Sequence, residues 1–211
     1  MSCSRSLNEA QITLVRMAAG FNARNARGRD LPSIVLMTDD GRDADWVTAV
    51  RALPRGAAVV VRHRIALERE RLARSLAGVC AARGVKILIA DDLGLALRVR
   101  ADGVHLPQAR MALIAAARAC NPRWLVTISA HGAASVGAAA RLGADAIFVA
   151  PVFGTFSHPG RSGLGVVRLA ALSHATRTPV YALGGIDAES VRRLPALPLC
   201  GIALISGWLT A

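Results

Sequence analysis

Short apolar runs alternate with longer amphipathic stretches along most of the chain. The runs are rich in β-branched residues and predict eight strands, at residues 33–38, 57–62, 86–90, 103–106, 125–129, 146–150, 180–183 and 201–205. The stretches between them are rich in Ala, Leu and Arg and predict seven helices, at residues 44–53, 66–82, 92–99, 108–120, 133–142, 165–175 and 188–194. Such strict alternation predicts parallel strands joined by right-handed crossovers.

Several of the predicted strands are apolar on both faces. Residues 59–61, for example, are three consecutive valines. Parallel strands have this composition because helices cover one face and other strands or a barrel interior cover the other. An open doubly wound sheet is the alternative, but eight units within 211 residues favour closure, and no GxGxxG motif follows the first strand. The pattern therefore predicts an α/β protein with one domain, residues 1–211, folded as a (β/α)8 TIM barrel.

The two ends of the chain modify this barrel. The sequence stops five residues after Ser206, so the eighth helix is expected to be truncated. Residues 1–30 form an N-terminal extension with an additional predicted helix near residues 7–22, which we expect to cover part of the gap. A groove left uncovered there would be a natural interface between two copies, so a homodimer is expected.

Composition removes several classes of function. The formal charge is +12, but Lys86 is the only lysine, the arginines are scattered and aromatic residues make up only 4% of the chain, so nucleic-acid binding is not expected. No apolar run approaches the roughly 20 residues of a membrane span. The four cysteines are widely spaced and contain no CxxC pair, which argues against a disulfide framework or a zinc site and favours a reducing cytoplasm.

Candidate chemistry is expected where strands end, because the C-terminal mouth of such barrels carries the functional groups. Gly184 and Gly185 follow the seventh strand, and Ser206 and Gly207 follow the eighth. Small residues let backbone N–H groups approach an anion, so these positions predict a phosphate site. The alternative is a pair of tight strand-to-helix turns.

A long loop follows the sixth predicted strand, from residue 151 to residue 165. It combines several glycines with Thr155, Ser157 and His158. A loop of this length and hydroxyl content is typical of a lid that closes over an anionic substrate. The alternative is a solvated surface loop.

Charged residues follow the second and third predicted strands. Arg62 and Arg64 come after the second strand and are candidates for binding a phosphate or diphosphate, although an arginine there can also be structural. Asp91 and Asp92 come after the third. Asp91 is the candidate ligand for Mg²⁺, whereas Asp92 is equally suited to cap a helix.

The fifth predicted strand ends in a serine, an alanine and a histidine. These are Ser129, Ala130 and His131, and His131 is a candidate acid or base because imidazole titrates near neutral pH. A lone histidine is also often structural. His105, at the end of the fourth strand, is a weaker candidate because it can line the barrel interior.

Several motifs, in this order and spacing, resemble the thiamine phosphate synthase/TenI family. Residues 101–106 read ADGVHL and are followed by Gln108, residues 143–145 read GAD, residues 151–153 read PVF with Thr155 beyond them, and residues 182–186 read ALGGI. The resemblance runs from about residue 34 to residue 206. It implies a (β/α)8 barrel and a role in thiamine biosynthesis.

The family has two branches, which the resemblance implies as alternatives. The synthase branch joins a hydroxymethylpyrimidine diphosphate to a thiazole phosphate with Mg²⁺ and releases pyrophosphate. The tautomerase branch isomerises a thiazole carboxylate phosphate and uses a histidine after the fifth strand, where His131 lies here. The thiazole phosphate positions are kept at Gly185, Ile205 and Ser206, and Arg62 and Ser129 also match.

The synthase's pyrimidine and metal positions depart from the family pattern. Its amide falls on Ala90, its second metal carboxylate falls on Arg110, and its lid lysine falls on His158. We therefore expect an enzyme that binds a phosphorylated thiazole-type small molecule and transfers a proton through His131. A true synthase, in which Arg62, Arg64 and Arg110 bind the diphosphate, is the second hypothesis, and a non-catalytic sensor of a phosphorylated ligand is the third.

Overall fold

The computed structural model describes residues 7–26, 28–154 and 163–210. Eight strands alternate with helices along the described chain. The strands are β1 (Ile34–Met37), β2 (Ala58–Val61), β3 (Lys86–Ala90), β4 (Gly103–Leu106), β5 (Leu125–Ala130), β6 (Ala146–Val149), β7 (Val180–Leu183) and β8 (Leu199–Leu204). The helices are α1 (Glu9–Asn25), α2 (Trp46–Arg51), α3 (Ala66–Arg83), α4 (Leu93–Arg98), α5 (Leu113–Cys120), α6 (Ala133–Arg141), α7 (Gly165–His174) and α8 (Ser206–Leu209).

All eight strands are parallel and form one closed barrel. Each strand pairs with the next in sequence, and β1 pairs with β8 through positions such as Val35 and Ala203. Almost every strand residue is buried, because the outer face packs under the helices and the inner face fills the barrel. The predicted TIM barrel is therefore confirmed, including its extra N-terminal helix and short eighth helix.

Helix α1 covers the position that a full eighth helix would occupy. It begins with a capping box between Asn8 and Gln11 and packs against β8. Its Asn22 Nδ2 donates to the carbonyl of Cys200 at 3.0 Å, while its Leu14 and Phe21 are fully buried. The groove that motivated the homodimer expectation is thus covered by α1, and the homodimer stays a prediction.

Some predicted boundaries and types differ from the structure. The helix predicted at residues 188–194 is a 3-10 turn, Ser190–Arg193. The helix predicted at residues 108–120 opens with another 3-10 turn, Gln108–Arg110, before α5 begins at Leu113. The side chain of Asp187 accepts the N–H groups of Glu189 and Ser190 and so caps the start of this turn, whereas Pro195, directly after Leu194, prevents its extension into a longer helix.

Two aspartates of the family-like motifs stabilise the opposite, N-terminal face of the barrel. Asp102 Oδ2 accepts the backbone N–H of Ile87 at 2.8 Å. Asp145 Oδ2 accepts that of Val126 at 2.7 Å and pairs with Arg118 at 2.6 Å. Each carboxylate links the start of one strand to the neighbouring strand by a hydrogen bond. These motif residues therefore stabilise the barrel and do not belong to the candidate site at its mouth.

Within the part of the chain that the structure describes, no helix is both long enough and apolar enough to cross a membrane.

Candidate functional site

The loop after β7 carries two glycines whose backbone conformations other residues adopt rarely. Gly184 has φ of +95° and Gly185 has φ of +65°. A Cβ on Gly184 would lie 2.8 Å from Pro151 Cα, and one on Gly185 would lie 2.7 Å from the Gly154 carbonyl oxygen. Glycine is therefore required both for the turn and for the close packing of this loop against the loop after β6.

The end of β8 lies directly beside the β7 loop. A Cβ on Gly207 would lie 2.0 Å from the carbonyl oxygen of Ile186, so the two backbones are in contact. The next residue, Trp208, is buried, and its Nε1 donates to the carbonyl of Ala49 at 3.1 Å. This anchor fixes α8, and with it Ser206, next to the glycine turn.

The four predicted phosphate residues, Gly184, Gly185, Ile205 and Ser206, thus lie on two neighbouring loops at the barrel mouth.

His131 lies at the mouth and is held by contacts with two neighbouring loops. Its Nδ1 lies 2.7 Å from the carbonyl oxygen of Ala150 at the end of β6, and its backbone N–H donates to Gln108 Oε1 at 3.1 Å. A carbonyl only accepts, so the Nδ1 nitrogen carries the hydrogen in this contact. In a neutral imidazole this leaves Nε2 as the basic nitrogen.

His105 lies inside the barrel rather than at its surface. It is 4% exposed, packs against the ring of Phe148 and contacts the hydroxyls of Thr127 and Ser129, each at 2.9 Å. Burial and, secondarily, the positive charge of Arg62 lower the pKa of His105 to about 3. His105 is therefore neutral at physiological pH and is not an acid or base there.

The arginines after β2 are already paired with carboxylates that follow β1. Arg62 lies 2.6 Å from Asp39 Oδ1, and Arg64 lies 2.7 Å from Asp40 Oδ2. The hydroxyl of Thr38 also receives the backbone N–H of Arg62 at 2.8 Å. An anion that binds these arginines must therefore share their charge with the two aspartates.

Asp91 is placed as the sequence predicts, but its neighbour is a cation. One carboxylate oxygen, Oδ1, is buried and accepts no hydrogen bond from the described residues. Arg110 Nε lies 3.6 Å from that same oxygen. A guanidinium repels a metal ion and supplies no oxygen ligand, whereas Mg²⁺ requires oxygen ligands.

No group of three or more His, Cys, Asp or Glu side chains that could hold a metal occurs among the described residues. Asp91 thus offers a single carboxylate, and its pairing with Arg110 would compete with a Mg²⁺ ion for that oxygen.

Three predicted lid residues, Thr155, Ser157 and His158, lie outside the described residues.

Two contacts of the candidate residues were not predicted from the sequence. Asp39 pairs with Arg62, and Thr127 pairs with His105. Asp39 directly follows the first predicted strand, and Asp91 was chosen as a candidate site residue because it directly follows the third. The same criterion could therefore have identified Asp39. Thr127 gave no such evidence, because an inward hydroxyl in the middle of an apolar strand becomes meaningful only when its partner on the adjacent strand, β4, is known.

Comparisons with known proteins agree with this architecture. The family model for thiamine monophosphate synthase matches residues 34–208. The chain is 34% identical over 185 residues to "Putative thiamine-phosphate synthase 2" of Aquifex aeolicus, which covers 85% of this chain and 99% of that protein. It is 32% identical over 203 residues to the thiamine-phosphate synthase of Parasynechococcus marenigrum, covering 94% of this chain and 57% of that longer protein.

A solved structure is also similar. The thiamine phosphate pyrophosphorylase from Pyrococcus furiosus superposes with a TM-score of 0.72 at 26% identity, and the match covers 88% of each chain. The closed barrel, the matched range and these relatives lead to one conclusion. This chain belongs to the thiamine monophosphate synthase family and is an enzyme of the thiamine-biosynthesis type.

Proposed function

We propose that the chain binds a thiazole phosphate at its mouth and isomerises it by proton transfer through His131, without a metal ion. The phosphate would be bound by the turns at Gly184, Gly185 and Ser206. The observation that carries the proposal is the contact between His131 Nδ1 and the carbonyl of Ala150. It leaves Nε2 as the basic nitrogen of a neutral imidazole.

The proposed reaction is a proton shift within a thiazole carboxylate phosphate. His131 Nε2 removes a proton from one carbon of the ligand and becomes an imidazolium with hydrogens on both nitrogens. It then returns a proton to another carbon, which restores the neutral ring and leaves no net change in protons. One group within hydrogen-bond reach suffices for such a step.

The pairing of Asp91 with Arg110 supports the metal-independent form of the proposal. The side chain of Arg110 meets the carboxylate that would otherwise be the metal ligand. A single positively charged group in that place can neutralise Asp91 or meet an anionic group of the ligand.

The test compares three proteins by following the isomerisation with NMR in D2O that contains EDTA. The wild type and a His174→Ala variant, altered at an exposed histidine at the end of α7, are expected to react at the same rate. The His131→Ala variant is expected to react about 10² to 10⁴ times more slowly. A His131→Ala variant as fast as the wild type would eliminate this role, and ligand binding without turnover by the wild type would indicate a sensor.

Thiamine phosphate synthesis is the second candidate function. The similarity to the synthase of Parasynechococcus marenigrum and to the pyrophosphorylase of Pyrococcus furiosus favours it, as do Arg62 and Arg64 after β2. These arginines would bind the diphosphate of a hydroxymethylpyrimidine substrate. Release of pyrophosphate that needs both substrates and Mg²⁺ would establish this reaction and displace the first proposal.

We also propose that the protein works in the cytoplasm. The cysteines Cys80, Cys120 and Cys200 are free, which suits a reducing compartment. Measurement of the enzyme's distribution between cell fractions would test this.

A further inference from the structure

A serine to which the proposed reaction gives no role contacts the glycine turn after β7, residues 184–186. The hydroxyl oxygen of Ser190 lies 2.9 Å from the carbonyl oxygen of Gly185 and 2.9 Å from the backbone nitrogen of Asp187. It lies farther, at 3.5 Å, from the carbonyl oxygen of Asp187. The Asp187 side chain holds Ser190 in this place, because it accepts the backbone N–H of Ser190 at 2.7 Å.

The partners of the Ser190 hydroxyl determine the direction of its hydrogen bonds. The Asp187 N–H can only donate, so the hydroxyl oxygen accepts from it. The two carbonyls can only accept, and the hydroxyl has a single hydrogen to give them. The Gly185 carbonyl is the nearer of the two, at 2.9 Å against 3.5 Å, so Ser190 donates to Gly185.

Both glycine carbonyls of the turn are therefore bound by protein groups. The Gly185 carbonyl accepts the Ser190 hydroxyl, and the Gly184 carbonyl accepts the backbone N–H of Phe153 at 3.0 Å. Both peptide bonds that follow these carbonyls are trans. In a planar trans peptide the N–H points opposite to the carbonyl. The N–H groups of Gly185 and Ile186 consequently point away from Phe153 and from Ser190.

These two consecutive N–H groups have no acceptor within the part of the chain that the structure describes. The backbone before them is left-handed, with φ of +95° at Gly184 and +65° at Gly185. Successive unpaired N–H groups in a turn of this kind form a concave site for an anion. The glycine turn thus has both of its carbonyls fixed and both of its N–H donors available.

We propose that Ser190 is a positioning residue of the phosphate site: it holds the Gly185 carbonyl and thereby directs the Ile186 N–H at the phosphate of the ligand. The inference rests on the proposed phosphate site at Gly184, Gly185 and Ser206. It holds for either candidate reaction, because both use a thiazole phosphate. Without the hydroxyl, the peptide between Gly185 and Ile186 can rotate, since glycine permits many backbone conformations, and the N–H is lost to the anion.

The first test is calorimetric titration of four proteins with a thiazole phosphate. Ser190→Ala is expected to bind about 10-fold more weakly than the wild type, because one hydrogen bond to a charged group is lost or weakened. Ser190→Thr keeps the hydroxyl and is expected to bind like the wild type. Ser75→Ala is the matched control, because the exposed Ser75 hydroxyl also donates to a backbone carbonyl, that of Leu72 at 2.9 Å, but lies on α3.

The titration separates this inference from the proposal on which it rests. Wild-type affinity in Ser190→Ala would overturn the role of Ser190 and leave the phosphate site intact. A wild type that does not bind the thiazole phosphate would overturn the phosphate site and this inference with it. Neither result depends on turnover, so failure of the isomerisation alone leaves the inference standing.

The second test locates the effect by ¹H–¹⁵N NMR during the same titration. In the wild type, the amide protons of Ile186 and Ser206 are both expected to move downfield as the phosphate binds. In Ser190→Ala, the shift of Ile186 should be lost and that of Ser206 should persist. Equal loss at both amides would show that the substitution disorders the whole site and would overturn a positioning role. If Ser190→Ala does not fold, Ser190→Cys makes the same comparison, since a thiol is a weak donor.

Discussion

Replacing Gly207 with alanine tests whether contact between the β7 and β8 loops builds the phosphate site. The added Cβ would lie 2.0 Å from the Ile186 carbonyl oxygen, 3.1 Å from its carbonyl carbon and 3.2 Å from Asp187 Cα. All three atoms belong to the backbone, so no side chain can rotate away to relieve the overlap. The two loops must therefore move apart.

The size of the effect follows from the overlap. Relief of the shortest contact requires a separation of about 1 Å. A misplacement of about 1 Å in an active site can lower activity on the order of 10²-fold. Overpacking of this kind also destabilises the fold by roughly 1–3 kcal/mol. We expect Gly207→Ala to lose most of its affinity for a thiazole phosphate while remaining folded.

The assay is calorimetric titration with the thiazole phosphate, accompanied by thermal unfolding. Gly78→Ala is the matched control, because Gly78 is exposed in α3 and a Cβ there would meet nothing within 4 Å. The control should bind as tightly as the wild type and be more stable by about 0.5–1 kcal/mol. A folded Gly207→Ala protein that binds with wild-type affinity would refute the reasoning.

Three further predictions concern the fold. Leu14→Ala should lower the free energy of unfolding in urea by about 2–5 kcal/mol, because Leu14 is fully buried where α1 covers the place of an eighth helix. A decrease below ~1 kcal/mol would contradict that role of α1. The free energy of unfolding should fall by about 1.4 kcal/mol per pH unit as the pH is lowered from 6.5 toward 3, because His105 is protonated in the unfolded chain before it is protonated in the folded one. Urea titrations at pH 7 and pH 5 measure this slope, and His105→Asn should flatten it. Burial raises the pKa of Cys80 and of Cys200 to about 12, so both thiols should resist a thiol reagent at pH 8 until the protein unfolds, and prompt labelling of either would contradict the packing.

Much of the fold is predictable because the barrel repeats one local pattern. A short, fully apolar run such as residues 58–61 is typical of a parallel strand that is covered on both faces. The 3-10 turn Ser190–Arg193 was predicted as a helix from its composition, although Pro195 leaves room for little more than one turn, and the two N–H groups that Asp187 accepts at its start are seen only in the structure. Local side-chain contacts of this kind are invisible in the periodicity.

The candidate site is predictable in position but not in its pairings. Gly184, Gly185 and Ser206 follow strands, and strand ends converge on one mouth. That Asp39 already pairs with Arg62, or that Ser129 meets His105, depends on contacts between residues more than 20 positions apart. The sequence indicates which groups are available, and only the folded barrel determines which of them meet.

The reaction itself is tested most directly by offering the purified enzyme both sets of substrates. One sample contains thiazole carboxylate phosphate and EDTA, and the other contains hydroxymethylpyrimidine diphosphate, thiazole phosphate and Mg²⁺. NMR should detect isomerisation in the first sample and no pyrophosphate release in the second, as the pairing of Asp91 with Arg110 and the contact of His131 Nδ1 with the Ala150 carbonyl predict. Pyrophosphate release in the second sample with no isomerisation in the first would contradict the proposed reaction and identify the enzyme as a synthase.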